Sequence, residues 1–399
     1  MTYRPLQNSG FTYGTPNLKK LEAYSFEVGP IRPPSEAHSL LIRATRNCSW
    51  NRCEFCPVYK GQRFELRHVE EVLHDIDTAQ EIRDQIKTMA WQAGYGGRTR
   101  EMAALVYNNF PYHPSVQNVA FWMYNAKNHA FLQDANSLIM HTHDLVKVIC
   151  HLKHTFPELE RVTSYARSKT AAKKSQDEMY QIQEAGLTQL HIGLESGNDQ
   201  VLALMQKGVT GEEQIKGGRM VVLSGITLSE YVMPGLGGRK LSKAHVEDTA
   251  RVLSSIVPDF IRIRTLVVHQ IMPLWEKTQN GEFEQLNEDE LVEELGILIE
   301  GLHCNSTIKS DHMMNLLMDV EGKLPEDRDK ILAPIKRYLS LPQQERCNFI
   351  FGRRAGLYNS LDDMHNTYQH EMVEQALQRI KGQGNDVESI SQQLREQSI

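Results

Sequence analysis

The sequence predicts an α/β fold, a partial (β/α)6 TIM-type barrel followed by a small mixed C-terminal segment. Three observations predict it. Short apolar runs of strand character alternate with longer runs at helical spacing, and the alternation repeats six times between residues 38 and 300. Three of the helical runs open on capping sequences: Ser175 with Glu178, Thr210 with Glu213, and Asn287 with Glu290. Repeated strand–helix units of this length build parallel sheets, and six in a row suit a barrel or part of one.

In order along the chain, residues 1–37 carry several Pro and Gly and read as an irregular lead-in. Ser39–Ile42 is the first strand. A long amphipathic helix follows, with Val69, Val72, Leu73, Ile76, Ile82, Ile86 and Met89 in phase, and Gly94, Gly96 and Gly97 end it. Ala130–Gln133 is the second strand, and its helix carries Leu145, Val148, Ile149 and Leu152 on one face. Arg161–Ala166 and Leu187–Leu194 are the third and fourth, around a helix closed by Gly186. Ile226–Met233 and Phe260–Val268 are the fifth and sixth, with a helix from near Ser242 between them. The last helix of the core lines one side with Leu291, Leu295, Leu298 and Leu302. The expected division is therefore lead-in 1–37, core 38–300, a mixed or lid segment 301–367, and a polar, Gln-rich tail 368–399, helical or disordered.

Composition narrows the function. The chain has 399 residues, 40% hydrophobic and 24% charged, with a formal net charge of −6. An acidic balance argues against a nucleic-acid partner, which needs concentrated positive charge. No uninterrupted apolar stretch is long enough for a membrane span, and Met1–Gly10 has no basic segment leading into an apolar run, so a cytoplasmic location is expected. Of six cysteines, three fall within nine residues, Cys48, Cys53 and Cys56, while Cys150, Cys304 and Cys347 are scattered. Clustered thiols in a reducing compartment point to metal or redox chemistry.

The cluster reads Cys48-Ser-Trp-Asn-Arg-Cys53-Glu-Phe55-Cys56 and follows the first strand, on the face where parallel α/β folds build active sites. Three thiolates on one loop hold a soft metal. A structural zinc site wants four closed ligands, and no second Cys-x-x-Cys or Cys/His pair of finger spacing completes one. A [4Fe–4S] cluster on three cysteines leaves one iron open. Chance clustering, or zinc with a distant histidine, stays open as the alternative.

This loop, with an aromatic before its third cysteine, resembles that of radical S-adenosylmethionine enzymes, except that four residues, Ser49–Arg52, stand where the usual loop has three. A second stretch, His191-Ile-Gly-Leu-Glu195-Ser196-Gly197 with Val201-Leu202 and Lys207-Gly208, resembles the fourth-strand signature of the same superfamily. It is nearest the branch of oxygen-independent coproporphyrinogen oxidases and methylthiotransferase-type proteins. The resemblance covers roughly residues 38–300 and implies a [4Fe–4S] cluster on the three cysteines and S-adenosyl-L-methionine as cofactor.

The resemblance also implies site residues at the strand ends. Alternation turns Leu190, Ile192 and Leu194 towards the helices and His191, Gly193 and Glu195 inward. Glu195, with Ser196 beside it, is then expected to meet ribose hydroxyls or the amino group of the cofactor; helix capping is the alternative for Glu195. Asp134 and Asn136 stand where relatives take up the methionine ammonium, although the usual glycines are missing, and Asn136 is equally a helix cap. Ser164, Tyr165 and Arg167 offer hydroxyls and a guanidinium to the methionine carboxylate. Gly235 and Gly237, in Pro234-Gly-Leu-Gly-Gly238, suit a turn against adenine or any tight turn. Phe55 adjoins the cluster. Arg262 and Arg264 share the inward face of the sixth strand, so they are expected to meet Glu195, the cofactor carboxylate or an anionic substrate, with Arg262 and His191 the expected substrate contacts and purely structural pairing the alternative for the arginines.

The histidines 141, 143, 151 and 154 read as a surface helix, Ser310-Asp-His312 as a lid, and Arg353-Arg354 as surface charge. The functional expectation is a radical enzyme acting on a small molecule, with an electron donor such as flavodoxin or ferredoxin as partner. Its rivals are a coproporphyrinogen-type oxidative decarboxylase and a non-catalytic iron–sulfur scaffold or sensor. The sequence carries no second cysteine cluster, cobalamin domain or basic RNA-binding appendage, and it names no substrate.

Overall fold

The structure is a computed structural model that describes residues 18–109, 112–383 and 387–396. Most of the lead-in, including Met1–Gly10, lies outside the described residues. The chain divides into two compact units: residues up to Arg46 with Glu65–Ser164 and Ala185–Leu187, and Asn47–Phe64 with Tyr165–Glu184 and the chain from Thr188. These units cut across the four segments expected from the sequence.

The first unit carries β1 (Leu40–Arg43), β2 (Thr45–Arg46), β3 (Glu65–Leu66), α1 (Val69–Gln92), α2 (Thr99–Asn109), α3 (Pro114–Asn125), β4 (His129–Gln133), α4 (Thr142–Thr155) and β5 (Arg161–Ala166), whose last two residues count with the second unit. β1 pairs with β4 and β4 with β5, all parallel, and β2 with β3 antiparallel. α1 buries Val72, Ile76, Ile82, Ile86 and Met89, the stripe read from its spacing, and Gly94 ends it at φ +80°. The helices α2 and α3 are additions to the expectation. Their mixed sequences lack a clean apolar stripe, yet Met102, Val106, Val116, Val119 and Trp122 are buried against their neighbours.

The second unit carries α5 (Ser168–Ala171), α6 (Gln176–Glu184), β6 (Gln189–Glu195), α7 (Asp199–Leu204), α8 (Gly211–Leu223), β7 (Thr227–Val232), α9 (Gly238–Ile256), β8 (Phe260–Ile263), α10 (Leu274–Gln279), α11 (Glu288–Gly301), β9 (Thr307–Lys309), β10 (Gly322–Lys323), α12 (Arg328–Ser340), α13 (Gln343–Arg354), α14 (Thr367–Gly382) and α15 (Val387–Glu396). β6, β7, β8 and β9 are successive parallel neighbours, and β10 is antiparallel to β9. The fold is thus α/β with a mostly parallel sheet, of the partial TIM-type barrel kind, and all six expected strands form. Both bonds of each capping box form, at Ser175, Thr210 and Asn287.

Two expectations change. β8 stops at Ile263 rather than Val268, because beyond it Thr265 donates its N–H to the Asn315 side chain (2.9 Å) and Leu266 to Pro234 (2.9 Å), away from the ladder. The parallel run continues past Gly301, since β9 adds to β8 in register Ile261↔Ile308. A three-residue strand is too short for periodicity to find. The expected polar tail includes α14, whose Val373 and Leu377 are buried.

One face of the β6–β8 sheet carries Ile192 and Ile261 in register on either side of the Glu230 carboxylate, all three fully buried. The opposite face carries His191, Gly193, Ser229, Tyr231 and Arg262, as the period of two requires. Above the strand ends, Phe55, Val201, Met205, Met233, Leu236, Leu266, Val268, Leu274 and Phe283 form an apolar cluster against which Cys53 and Cys56 pack.

Candidate functional site: a three-thiol loop beside a carboxylate–ammonium pair

In the second unit, Cys48, Cys53 and Cys56 are free thiols, each partly exposed, on one loop. The loop is tied down on both sides. Glu54 donates its N–H to the Met205 carbonyl and accepts at its own carbonyl from Leu274, both at 3.0 Å. Its carboxylate takes a bond from the Gln206 side chain and lies 3.6 Å from Lys277. Asn51, in left-handed backbone at φ +51°, turns its side-chain amide onto the carbonyls of Tyr59 and Gln62 and its N–H onto the sulfur of Cys48 at 3.4 Å.

Burial pushes the Cys53 and Cys56 thiols up from their ordinary values. Against it work the cations Lys207 and Arg167 at Cys53, and the N–H of Val58, Lys207 and Arg264 at Cys56. Thiols with N–H donors, apolar walls and nearby cations suit an iron–sulfur cluster, whose sulfurs accept such bonds and whose charge is tuned by them. Among the described residues no three His, Cys, Asp or Glu side chains converge as ligands of a single metal ion.

At the end of β6 the register slips between Gly193 and Glu195, and Glu195 adopts φ +64°. Its carboxylate folds back over Gly193, where any side chain would overlap it. One oxygen lies 3.4 Å from the ammonium of Lys207, and the other is buried without a hydrogen-bond partner among the described residues. Lys207 stands 5.6 Å above the Phe55 ring. Lys207 is the residue that sequence reasoning missed as a site residue. Its only signal was its place in the fourth-strand stretch, a dozen residues from Glu195.

The other expected residues of this unit are placed as follows. His191 is buried between Tyr165 and Tyr231, its ring 6.0 and 6.2 Å from theirs. Arg167 donates to the Lys207 carbonyl at 2.7 Å; burial lowers its pKa, while Cys53 and Cys48 act to raise it. Arg264 is exposed, and among the described residues its guanidinium makes no hydrogen bond or ion pair. Arg262, on the same side, is buried in an ion pair with Asp311 and donates to Ser229 at 3.1 Å. Arg262 is therefore committed within the protein, a correction to its reading as a substrate contact.

Ser196 is fully buried, taking N–H from Asn198 at 3.1 Å and bonding His245 at 2.8 Å, so it serves the loop that follows β6 rather than a ligand. Gly235, at φ +87°, gives its N–H to Glu294 at 2.6 Å, and a side chain there would press on Leu291; one at Gly237 would press on His245. The space these glycines leave is filled by protein, not offered to a ring. Asp311 is tied to Arg262, and Asn315 on the same loop binds the Ile263 carbonyl at 2.8 Å, so this segment closes over the end of β8. Arg353 and Arg354 are not surface charge. They bond the carbonyls of Met313, Asn315 and Met314, and Arg354 pairs with Glu288 at 2.7 Å.

In the first unit, Asp134 is fully buried and pairs with Arg43 at 2.5 Å, within a network that continues from Arg43 to Glu27 (2.6 Å) and Arg46 (2.7 Å). One oxygen of its carboxylate is thereby engaged with Arg43. Ser164 donates to the Leu132 carbonyl at 2.8 Å and bonds Ser137 at 2.7 Å, and Asn136 is buried before a short 3-10 turn. Asn136 makes no side-chain cap bond there.

No family model matches the chain. The tRNA uridine(34) acetyltransferase of Methanocaldococcus infernus is 27% identical over 125 residues, 30% of this chain and 22% of that protein, so the chain spans about a fifth of that relative. Among solved structures, coproporphyrinogen III oxidase from Escherichia coli, described as a radical SAM enzyme, is 11% identical. It covers 66% of this chain and 51% of its own, with a TM-score of 0.42. The radical S-adenosylmethionine methyltransferase TsrM from Kitasatospora setae, solved with cobalamin and a [4Fe–4S] cluster, is 12% identical, covering 85% of this chain and 61% of its own at a TM-score of 0.40. Radical S-adenosylmethionine enzymes are thus among the proteins of known structure that this chain resembles.

Proposed function

We propose that this protein is a radical S-adenosylmethionine enzyme, with a [4Fe–4S] cluster on Cys48, Cys53 and Cys56. The observation that carries the reading is the loop itself: three free thiols, donors aimed at sulfur, apolar walls, and Lys207, Arg167 and Arg264 around it. Held by Cys48, Cys53 and Cys56, such a cluster would supply the electron for reductive cleavage of S-adenosylmethionine to methionine and a hydrogen-abstracting 5′-deoxyadenosyl radical. The chain's own residues do the holding. Glu195 accepts from cofactor hydroxyl or amino groups with its second oxygen, and Lys207, 3.4 Å from its first, orients it. The apolar cluster around Phe55 keeps water from the reacting atoms.

The substrate is a small molecule bearing an anionic group, received by Arg264 with His191 at the inner wall, and the electron comes from a flavodoxin- or ferredoxin-type donor. Among the described residues no helix is long and apolar enough to cross a membrane, and a reducing cytoplasm suits the chemistry. The test is anaerobic reconstitution with iron and sulfide, followed by dithionite and S-adenosylmethionine. The reading expects about four irons and four sulfides per chain and slow release of 5′-deoxyadenosine. Protein that takes up zinc alone, or a cluster that neither binds nor cleaves S-adenosylmethionine, would overturn it.

A further inference from the structure

The four-residue spacer between Cys48 and Cys53 makes room for a side chain that has no counterpart in the chemistry above, Trp50. Its indole N–H donates to the Gln206 carbonyl at 2.6 Å. Its six-membered edge lies where any side chain at Gly208 would be, and Gly208 also sits at φ +68°. A glycine is required there twice over, for its backbone and for the ring it admits. On the face of the indole lies the Arg167 guanidinium, its centre 4.9 Å from the ring, while its Nη2 is held by the Lys207 carbonyl at 2.7 Å. Arg52 reaches the same ring at 5.1 Å. Planar guanidinium on indole is a favoured geometry that fixes a charge without neutralising it.

We propose that Trp50 is a positioning residue: it locks the cysteine loop to the Gln206–Gly208 turn and holds the Arg167 charge fixed beside Cys48 and Cys53. The inference rests on the cluster reading above and goes beyond it by assigning a role to the longer spacer. Adding an electron to a cluster in apolar surroundings adds negative charge, so a fixed neighbouring cation favours the reduced form. Trp50 acts through Arg167, and its effect on the cluster should vanish when Arg167 has no charge to place.

The experiment is a redox titration of the reconstituted full chain, followed by electron paramagnetic resonance, with iron counted in each sample. Arg167→Gln and Trp50→Ala should each move the midpoint to more negative potential, and the double variant should move no further than Arg167→Gln alone. Gly208→Ala, which drives the indole out, should behave as Trp50→Ala does, whereas Trp50→Phe, which keeps a ring under Arg167, should move least. If Trp50→Ala takes up no iron, Trp50→Leu and Gly208→Ala replace it in the comparison. Additive shifts in the double variant, or unmoved midpoints in loaded variants, would overturn the proposal while leaving the cluster reading intact. A wild-type chain that forms no cluster would overturn both.

Discussion

The carboxylate of Glu195 and the ammonium of Lys207 stand 3.4 Å apart, each side chain about one-eighth exposed, at the end of β6. The pair leaves one buried Glu195 oxygen without a hydrogen-bond partner among the described residues, although buried polar groups are as a rule hydrogen-bonded. That oxygen is where a hydroxyl or ammonium group of a ligand gains most. Glu195→Ala and Glu195→Gln should therefore weaken S-adenosylmethionine binding while leaving iron uptake unchanged. A charge-assisted bond is worth about 1.5–3 kcal/mol, roughly ten- to a hundredfold in affinity, to be read by equilibrium binding to the reconstituted protein. An unchanged dissociation constant would remove Glu195 from the site.

Cysteine replacement separates ligands from bystanders. Cys48→Ala, Cys53→Ala and Cys56→Ala should each lose the cluster's absorbance and most of the iron. Cys150→Ala, Cys304→Ala and Cys347→Ala should keep both, measured by metal and sulfide analysis after anaerobic reconstitution.

The two arginines at the end of β8, Arg262 buried and Arg264 exposed, should behave differently. Arg262→Gln strips Asp311 of its partner and removes a donor from buried Ser229, so thermal unfolding should come at lower temperature, by about 1–3 kcal/mol. Arg264→Gln breaks no ion pair among the described residues and should leave unfolding unchanged while lowering affinity for an anionic substrate. Equal melting temperatures for the two variants would contradict the Arg262–Asp311 assignment.

Stability should depend on pH through two buried groups, Glu294 at the Gly235 N–H and His245 between Ser196 and the Met233 carbonyl. Burial raises the Glu294 carboxyl to about 7 and lowers His245 to about 4. Between the ordinary carboxylate value and 7 the folded state binds more protons at Glu294, so stability falls as pH rises. Between about 4 and the ordinary histidine value the unfolded state binds more protons at His245, so stability rises with pH. The two slopes oppose each other over most of the range from 4.5 to 6.5. Glu294→Gln should unmask the rising slope of His245, seen in denaturant titrations at successive pH values; a profile parallel to wild type would refute the Glu294 assignment.

Sequence alone determined what is local. Three thiols within nine residues are together in any fold. The period of two put His191 and Gly193 on one face of β6 and Ile192 on the other, and the capping boxes set three helix starts. Partner choice was decided by tertiary structure. Asp134 and Arg43 are 91 residues apart in the chain, Arg262 and Asp311 are 49 apart, and Trp50 meets the Gln206 carbonyl across 156. No local pattern encodes such pairs, because a charge or a ring reads the same in sequence whether it faces solvent, a ligand or a buried neighbour. Burial made the difference: Asp134 and Arg262, desolvated by the packing around them, needed a fixed counter-charge and took one from the protein. Arg264, two residues beyond Arg262 and past the end of β8, stayed in solvent with its charge available.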